Sequence, residues 1–500
     1  MNRREFLRKS AMGAAGLLGG AWAARAAKPA DKRPNILFAI ADDWGWPHAG
    51  AYGDPVVKTP AFDRVAAEGV LFKYAYVSAP SCTPSRNALL TGQCHWRLGP
   101  GASLWSTLDP ATPTYPLLLA KAEYHVGSWR KSWGPGNLKG WKDHPAGKPY
   151  RKGLDEFLAA RPKGVPFCFH LGASDPHRGY ALGSGARSGI DPSKIKLFGC
   201  FPDCPEVRSD VADYYFEVQR FDRDVARALA KLEEIGELEN TLVVVTGDNG
   251  IPFPRCKSNL YDSGVHAPLA IRWGAKVAKP GRAVDDFVSF TDLAPTFLEA
   301  AGVAAPKVMT GRSLLNILTS GKSGLVEPDA RSSVLVGKER HVPGQEGHKG
   351  GYPCRAIRTH GYLYIRNFAP DRWPAGTPNY EKAAIPGAWL ADCDNSPTKT
   401  YMTANKDKDD QHRRLWDLAF GRRPAEELYD CKKDPHQLQN VAGDPAYAEV
   451  KAKLAAQLMA GLKATGDPRA TGGGEAFDKY PYLGGAPKHP SARKKPKRAR

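Results

Sequence analysis

A reactive cysteine and a cation lie one helical turn apart in the segment that runs from Ser81 to Gly92. Pro84 suits the first turn of a helix because its missing N–H costs nothing there, and Gly92 suits the end of that helix. Cys82 is therefore predicted at the helix N-terminus, where free N–H groups and the helix dipole favour negative charge. Arg86 projects from the same side of the helix. This arrangement suits chemistry on a sulfate or phosphate group.

Four hard oxygen donors follow two apolar runs, 35–41 and 241–246, each predicted as a strand buried on both faces. Functional side chains of α/β sheets gather beyond the carboxyl ends of parallel strands, so these donors are expected to meet there. Oxygen donors suit Ca²⁺ or Mg²⁺ and do not suit Zn²⁺, which prefers histidine or thiolate. The predicted metal ligands are Asp42, Asp43, Asp248 and Asn249.

Apolar runs alternate with helical patterns through the first part of the chain. The run 166–171 resembles the other two strand candidates and leads toward His177. A long helix is predicted to begin near Ser209, which can cap it, and to lead through Gly236 into the next strand. This alternation predicts an α/β sandwich.

The sequence changes character after residue 336. Residues 337–353 are rich in glycine, histidine and proline, which is typical of a loop or a domain joint. Residues 354–358 and 362–366 are predicted as two strands around a turn, and a helix is predicted after Pro445. We interpret this part as a smaller α+β domain with an antiparallel sheet.

The two ends of the chain carry much of its formal net charge of +19. Residues 1–26 are typical of a twin-arginine signal peptide, with Arg3 and Arg4 before a short apolar stretch, which predicts an exported, periplasmic or extracellular protein. That stretch is too short for a convincing membrane span, and no other segment approaches one. Residues 486–500 are predicted as a basic disordered tail, which either binds a polyanion or is simply solvated. No nucleic-acid module accompanies it, so no nucleic-acid partner is expected.

The string Cys82-x-Pro84-Ser85-Arg86, followed by Leu-Leu-Thr-Gly, resembles the signature of the type I sulfatases. In that family the cysteine is oxidised to Cα-formylglycine, whose hydrated aldehyde is the nucleophile. The resemblance therefore implies, as a partner, a formylglycine-generating or anaerobic sulfatase-maturating enzyme. A thiolate phosphatase would need a longer loop between the cysteine and the arginine.

The family resemblance also implies a fold. It implies an alkaline-phosphatase-like sandwich, in which a large, mostly parallel mixed sheet lies between helices, with a catalytic domain over residues 28–350. The smaller C-terminal α+β domain with its antiparallel sheet would then cover residues 351–485.

Further site residues follow from the resemblance alone. It implies that the oxidised Cys82 joins the metal ligands, that Lys257 binds the substrate sulfate, and that His177 lies near the leaving group. Lys131 is a further sulfate-binding lysine by the same resemblance. Arg130 stands where the family has glycine, and no histidine follows Lys131, so a second active-site histidine is not assigned.

The strings at 248–254, 259–261 and 175–178 resemble the N-sulfoglucosamine sulfohydrolase (heparan N-sulfatase) branch of that family. The resemblance implies a sulfatase that removes sulfate from a sulfated sugar of heparin or heparan type, with N-linked ahead of O-linked sulfate and Ca²⁺ or Mg²⁺ as the metal. Three alternatives stay open. They are an O-sulfatase on another sulfated glycan, a phosphate or phosphonate ester hydrolase, and a catalytically silent polyanion-binding protein.

Overall fold

A computed structural model describes residues 33–492 of the chain. The signal peptide predicted over residues 1–26 lies outside the described residues, and so do residues 493–500 of the predicted tail. The strands are β1 Asn35–Ala41, β2 Val70–Tyr76, β3 His125–Trp129, β4 Lys148–Pro149, β5 Phe167–Gly172, β6 Thr241–Gly247, β7 Leu269–Arg272, β8 Arg282–Ser289, β9 Ser333–Lys338, β10 Cys354–Thr359, β11 Tyr362–Asn367 and β12 Glu426–Asp430.

Helices cover both faces of the larger sheet and one face of the smaller one. They are α1 Pro60–Ala67, α2 Cys82–Thr91, α3 Tyr115–Lys121, α4 Leu154–Ala159, α5 Ser184–Arg187, α6 Pro205–Glu234, α7 Asp262–Val265, α8 Leu293–Ala300, α9 Leu315–Ser320, α10 Pro397–Ala404, α11 Asp410–Phe420, α12 Ala448–Ala464, α13 Pro468–Thr471 and α14 Ala476–Lys479. Among the helices within residues 33–492, none combines the length and apolar character that a bilayer crossing requires.

The strands form two sheets, as predicted. The larger sheet has eight strands in the order β4-β3-β5-β1-β6-β7-β2-β8, and within it only β7 runs antiparallel to its neighbours. The smaller sheet is antiparallel, with four strands in the order β12-β11-β10-β9. The predicted mostly parallel mixed sheet and the predicted antiparallel sheet are therefore confirmed.

Strand β1 lies at the centre of the larger sheet, paired in parallel with β5 and β6. Because side chains alternate along a strand, Ile36, Phe38 and Ile40 pack into one hydrophobic core and Leu37 and Ala39 into another on the opposite face. This explains the continuous apolar run in the sequence. A strand covered on both faces has no position that favours a polar side chain.

The two sheets share hydrophobic contacts. Val336, Ala356, Leu363 and Ile365 of the smaller sheet belong to the same buried cluster as Ile36 of the central strand. Strand β9 lies before the boundary predicted at residue 350, and the division of the chain into two domains stays a prediction.

Two predicted details differ from the structure. The long helix begins at Pro205, not near Ser209, because a proline at the first helical position has its φ already set for the helix. The disorder predicted from residue 486 does not hold for residues 486–492, which lie within the described part. There the Trp389 N–H donates to Pro487 O at 3.1 Å, and the His489 ring stacks on Tyr380 with centroids 4.1 Å apart.

Candidate active site

The carboxyl ends of β1 and β6 lie side by side, because the two strands pair in parallel with Ala41 opposite Gly247. Asp42 and Asp43 leave the first strand at the point where Asp248 leaves the second. The backbone N–H of Asp43 donates to Asp248 Oδ1 at 2.9 Å, which fixes the two strand ends to each other. Asp43 has a left-handed φ of 73°, a conformation that aspartate tolerates better than most residues.

Helix α2 begins at Cys82, as predicted, and ends at Gly92, whose φ of 63° provides the left-handed stop. Every residue of this helix is buried. The Cys82 sulfur lies 3.2 Å from Asp42 Oδ1 and 3.9 Å from Asp43 Oδ1. Burial and the Asp42 carboxylate raise the pKa of the thiol well above its usual value. The start of helix α2 therefore places residue 82 next to the acidic residues that follow strand β1.

The residues at this point fit a divalent cation. One ligand atom from each of Asp42, Asp43, Cys82 and Asp248 lies within 4.8 Å of the others. Asn249 donates through Nδ2 to Asp43 Oδ1 at 2.8 Å, while its Oδ1 is buried and has no hydrogen-bond partner among residues 33–492. A buried acceptor without a partner is costly unless a cation or a water satisfies it. The donor set of hard oxygens matches calcium or magnesium.

The charges of these buried carboxylates depend on the cations around them. Burial raises the pKa of Asp248 to about 6. Burial alone would also raise the pKa of Asp42, but Lys131, His177 and Arg86 bring it well below its usual range.

Three cations surround the acidic cluster. Arg86 is buried and donates through Nε to Asp248 Oδ2 at 2.7 Å. The Lys131 ammonium contacts Asp42 Oδ2, and the Lys131 carbonyl accepts from Arg86. Lys257 donates to Asp43 Oδ2 at 2.8 Å, and although burial opposes its charge, Asp394 and Asp43 raise its pKa well above the usual value.

His177 faces the cluster from a separate loop. Its Nδ1 lies 2.6 Å from the carbonyl oxygen of Arg178, and a carbonyl only accepts, so Nδ1 carries a hydrogen. The other ring nitrogen, Nε2, lies 3.9 Å from Asp43 Oδ2. The Arg178 guanidinium makes two bonds to Asp210, at 2.7 and 3.0 Å, which holds this loop against helix α6.

A cavity of about 280 Å³ opens over the cluster. The structure therefore brings together all the residues predicted for the site, and the cavity also exposes groups that the sequence did not single out. Its lining residues include Cys82, Lys131, His177, Lys257, Trp105, His341, Asp394 and Tyr482.

His341 and Asp394 are the functional candidates that the sequence analysis missed. His341 lies in the segment predicted as a joint between domains, and its Nδ1 is 2.8 Å from Ser81 Oγ, directly before Cys82. Burial lowers the pKa of His341 to about 3, so its imidazole is neutral. Asp394 Oδ2 lies 3.4 Å from Lys257 Nζ. Burial alone would raise the pKa of Asp394, but Lys257 and His177 bring it well below its usual range.

Arg130 does not crowd the site. Its guanidinium donates to Asp224 Oδ2 at 2.8 Å and lies over the Trp129 ring, 3.9 Å from the ring centroid. The backbone at Arg130 has a φ of 51°, which glycine adopts without strain and other residues adopt at a cost. This conformation explains why glycine suits the position before Lys131. The second imidazole of the pocket comes from His341.

The family model that matches the chain is Sulfatase, and it covers residues 34–303, more than half of the chain. The chain belongs to the sulfatase family. The matched residues include both strand ends, the Cys82 helix, Lys131, His177 and Lys257. The protein is accordingly a sulfatase-type hydrolase.

Curated relatives span most of this sulfatase. Human N-sulphoglucosamine sulphohydrolase is 28% identical over 486 residues, covering 87% of this chain and 91% of the human protein. An ulvan-active sulfatase of Formosa agariphila is 28% identical over 459 residues, covering 87% of this chain and 81% of the relative.

Solved structures share the fold. One is a protein in complex with its substrate, D-glucosamine-2-N,6-O-disulfate. Its TM-score is 0.62 at 21% identity, with 87% of this chain and 99% of the other covered. A phosphonate monoester hydrolase of Agrobacterium radiobacter has a TM-score of 0.64 at 18% identity, with 86% and 96% covered.

Replacing Lys131 by alanine is expected to lower kcat/KM for an aryl sulfate by about 10²–10³-fold, because the cation predicted to bind the sulfate, which Asp42 already orients, is lost. Arg130→Gly is the matched control, since Arg130 points toward Asp224 and its φ suits glycine. That variant should stay within about threefold of the wild type. Steady-state kinetics of both purified variants measures the difference, and equal losses would contradict the assigned roles.

Proposed function

We propose that this sulfatase hydrolyses the N-linked sulfate of glucosamine in heparin- or heparan-type sugars, with Cys82 oxidised to Cα-formylglycine and a bound divalent cation. The observation that carries the catalytic part is the Cys82 sulfur, 3.2 Å from Asp42 Oδ1 at a helix N-terminus. The near-full-length similarity to human N-sulphoglucosamine sulphohydrolase supports the choice of substrate.

The cation would be held by Asp42, Asp43, Asp248 and Asn249, together with the oxidised residue 82. Ca²⁺ is the first candidate and Mg²⁺ the second, because all the ligands are hard oxygens. A bound divalent cation supplies Lewis acidity that polarises a sulfate oxygen and favours ionisation of a hydroxyl nucleophile. The hydrated aldehyde of formylglycine supplies that hydroxyl when Cys82 has been oxidised.

The protein's own cations bind and orient the sulfate group. Lys131 and Lys257 both line the cavity beside Cys82 and would donate to the sulfuryl oxygens as negative charge builds on them. Arg86 is fixed by Asp248 beneath them, so its charge is in place before the substrate arrives. Because these groups are already oriented, little reorganisation accompanies the reaction.

His177 moves a proton to the leaving group. Its Nδ1 hydrogen is engaged by the Arg178 carbonyl, so only Nε2 is free to exchange a proton with the substrate. In the imidazolium form Nε2 carries the proton that the departing atom needs, and in the neutral form it accepts one.

A second candidate is an O-sulfatase that acts on another sulfated glycan. The Formosa agariphila relative, an ulvan-active sulfatase, is as similar to this chain as the human N-sulphoglucosamine sulphohydrolase.

A substrate panel tests the proposal. The protein matured with a formylglycine-generating or anaerobic sulfatase-maturating enzyme is expected to release sulfate from N-sulfated heparin disaccharides faster than from O-sulfated ones. Aryl sulfate and aryl phosphate complete the panel. Preference for an O-sulfated glycan would favour the second candidate, and preference for phosphate would contradict both. Peptide mass around Cys82 reports oxidation independently, and an unoxidised thiol in an inactive protein would indicate a silent polyanion-binding protein.

Export is part of the same proposal. The twin-arginine pattern at Arg3 and Arg4 supports a periplasmic or extracellular location. The division into a catalytic domain over 28–350 and a C-terminal domain over 351–485 belongs to this proposal too.

A further inference from the structure

A carboxylate from a sequence-distant loop reaches the side of the pocket where the leaving group would lie. Asp394 Oδ2 is 3.4 Å from Lys257 Nζ, and one of its oxygens lies within 4.8 Å of ligand atoms of both Asp43 and His177. Among residues 33–492, only Lys257 hydrogen-bonds to this carboxylate. A carboxylate has about four lone-pair sites, so Asp394 keeps acceptor capacity for a bound molecule.

The loop that carries Asp394 is anchored. Lys399 Nζ donates to the carbonyls of Trp389 and Cys393, each at 2.8 Å. One ammonium group therefore bridges two points of this loop that are four residues apart. Asp392 is bonded at 2.5 Å to Lys338 and at 2.8 Å to the N–H of Val342, in the segment that carries His341. The position of Asp394 is therefore set by the fold, as a specificity group requires.

His177 and Asp394 have opposite hydrogen-bonding abilities. Nδ1 of His177 holds its hydrogen against the Arg178 carbonyl, so Nε2 is the ring atom that gives a proton to the leaving group in the proposed function, whereas an Asp394 carboxylate oxygen accepts a hydrogen bond. An atom between them must accept a proton on one side and present a hydrogen on the other. The bridging nitrogen of a sulfamate, R–NH–SO₃⁻, does both. The bridging oxygen of a sulfate ester has no hydrogen, and its lone pairs would face the carboxylate.

We propose that Asp394 is a specificity-determining residue that favours N-linked over O-linked sulfate by accepting a hydrogen bond from the bridging nitrogen. This inference rests on the proposed function, since it explains how that same pocket recognises a sulfamate.

The reaction balances with water as the co-reactant, R–NH–SO₃⁻ + H₂O → R–NH₂ + HSO₄⁻. The S–N bond breaks and its electron pair stays on nitrogen, which takes the proton from His177 Nε2. The oxygen of the water forms the new bond to sulfur, and one proton of that water returns to His177 Nε2. The hydrogen already on nitrogen stays on it and is donated in a hydrogen bond to the Asp394 carboxylate. Proton transfer between the products then gives an ammonium and sulfate, and an ammonium beside an ionised carboxylate is favourable.

The test uses two substrates that differ only in the bridging atom, 4-nitrophenyl sulfate and N-(4-nitrophenyl)sulfamate. In the matured Asp394→Asn variant, kcat/KM for the sulfamate should fall about tenfold or more, because a charge-assisted acceptor is lost. The value for the sulfate ester should fall by a clearly smaller factor, because the ester loses only the contact between Asp394 and Lys257. The ratio of the two kcat/KM values therefore reports the hydrogen bond to nitrogen. Asp329→Asn, at an exposed position, is the matched control and should change neither value.

Product inhibition gives a second readout. Inhibition by glucosamine should weaken about tenfold in Asp394→Asn, whereas inhibition by inorganic sulfate should change by a clearly smaller factor. Equal losses on both substrates, or an unchanged value for the sulfamate, would overturn the role of Asp394. A wild type that cleaves only the sulfate ester would instead contradict the proposed function itself. This outcome is measured on the wild-type protein alone, so it is distinguishable from a failure of the role of Asp394.

Discussion

The Cys82→Ala variant is expected to lose at least about 10³-fold in kcat while keeping the wild-type fold, because the residue that supplies the nucleophile is removed. Cys82 is only 2% exposed, and its sulfur hydrogen-bonds to Asp42 and Asp43, which lie beyond the end of strand β1 and outside its pairing with neighbouring strands. Circular dichroism and thermal unfolding should therefore match those of the wild type closely. Sulfate release from an aryl sulfate measures the loss.

A second cysteine provides the control for this experiment. Cys204, half-buried at the start of the long helix, does not line the catalytic cavity, so Cys204→Ala should retain wild-type turnover. Activity that survived in Cys82→Ala would rule out Cys82 as the source of the nucleophile.

Removal of divalent cations by a chelator is expected to lower kcat by at least about 10³-fold, because the proposed cation would lower the activation barrier by several kcal/mol as a Lewis acid. Stability should change as well, because a cation that binds only the folded state stabilises it by about 2.7 kcal/mol at a hundredfold excess over Kd. Titration of the stripped protein with Ca²⁺ or Mg²⁺, followed by Tm, measures this effect and distinguishes the two ions.

The Asp248→Ala variant distinguishes loss of the bound cation from other effects of the chelator. This variant lacks one oxygen ligand and also the partner of Arg86 Nε. Its Tm should no longer respond to added Ca²⁺ or Mg²⁺. A wild-type Tm that did not respond either would contradict the metal site.

The acidic cluster at the two strand ends could be predicted from the sequence because its parts are local. Strand β1 matches the predicted run 35–41, and the acidic residues directly follow it. The Cys82 helix has its stop signal at Gly92, within the same short segment. Parallel pairing then brings the two strand ends together, so periodicity suffices to predict that their acidic side chains meet. The places of Cys82, Lys131, His177 and Lys257 beside them were expected only from the family resemblance.

The rest of the pocket was not predictable in this way. Asp394 reaches Lys257 across 137 positions of sequence, and His341 reaches Ser81 across 260. Both lie in segments without a helical or strand periodicity, so nothing local marks them as functional. Their positions depend on the packing of the smaller sheet against the larger one.

The hydrogen bonds of Asp392 limit how the substrate range could be changed by exchanging loop segments between sulfatases. Because this one carboxylate joins the segment at 338–342 to the loop at 390–394, we expect neither segment to keep its conformation when it is transplanted alone. A chimera that imported one of them from another sulfatase would leave a buried anion or a buried ammonium without its partner. Recombination that alters selectivity must therefore exchange the two stretches together.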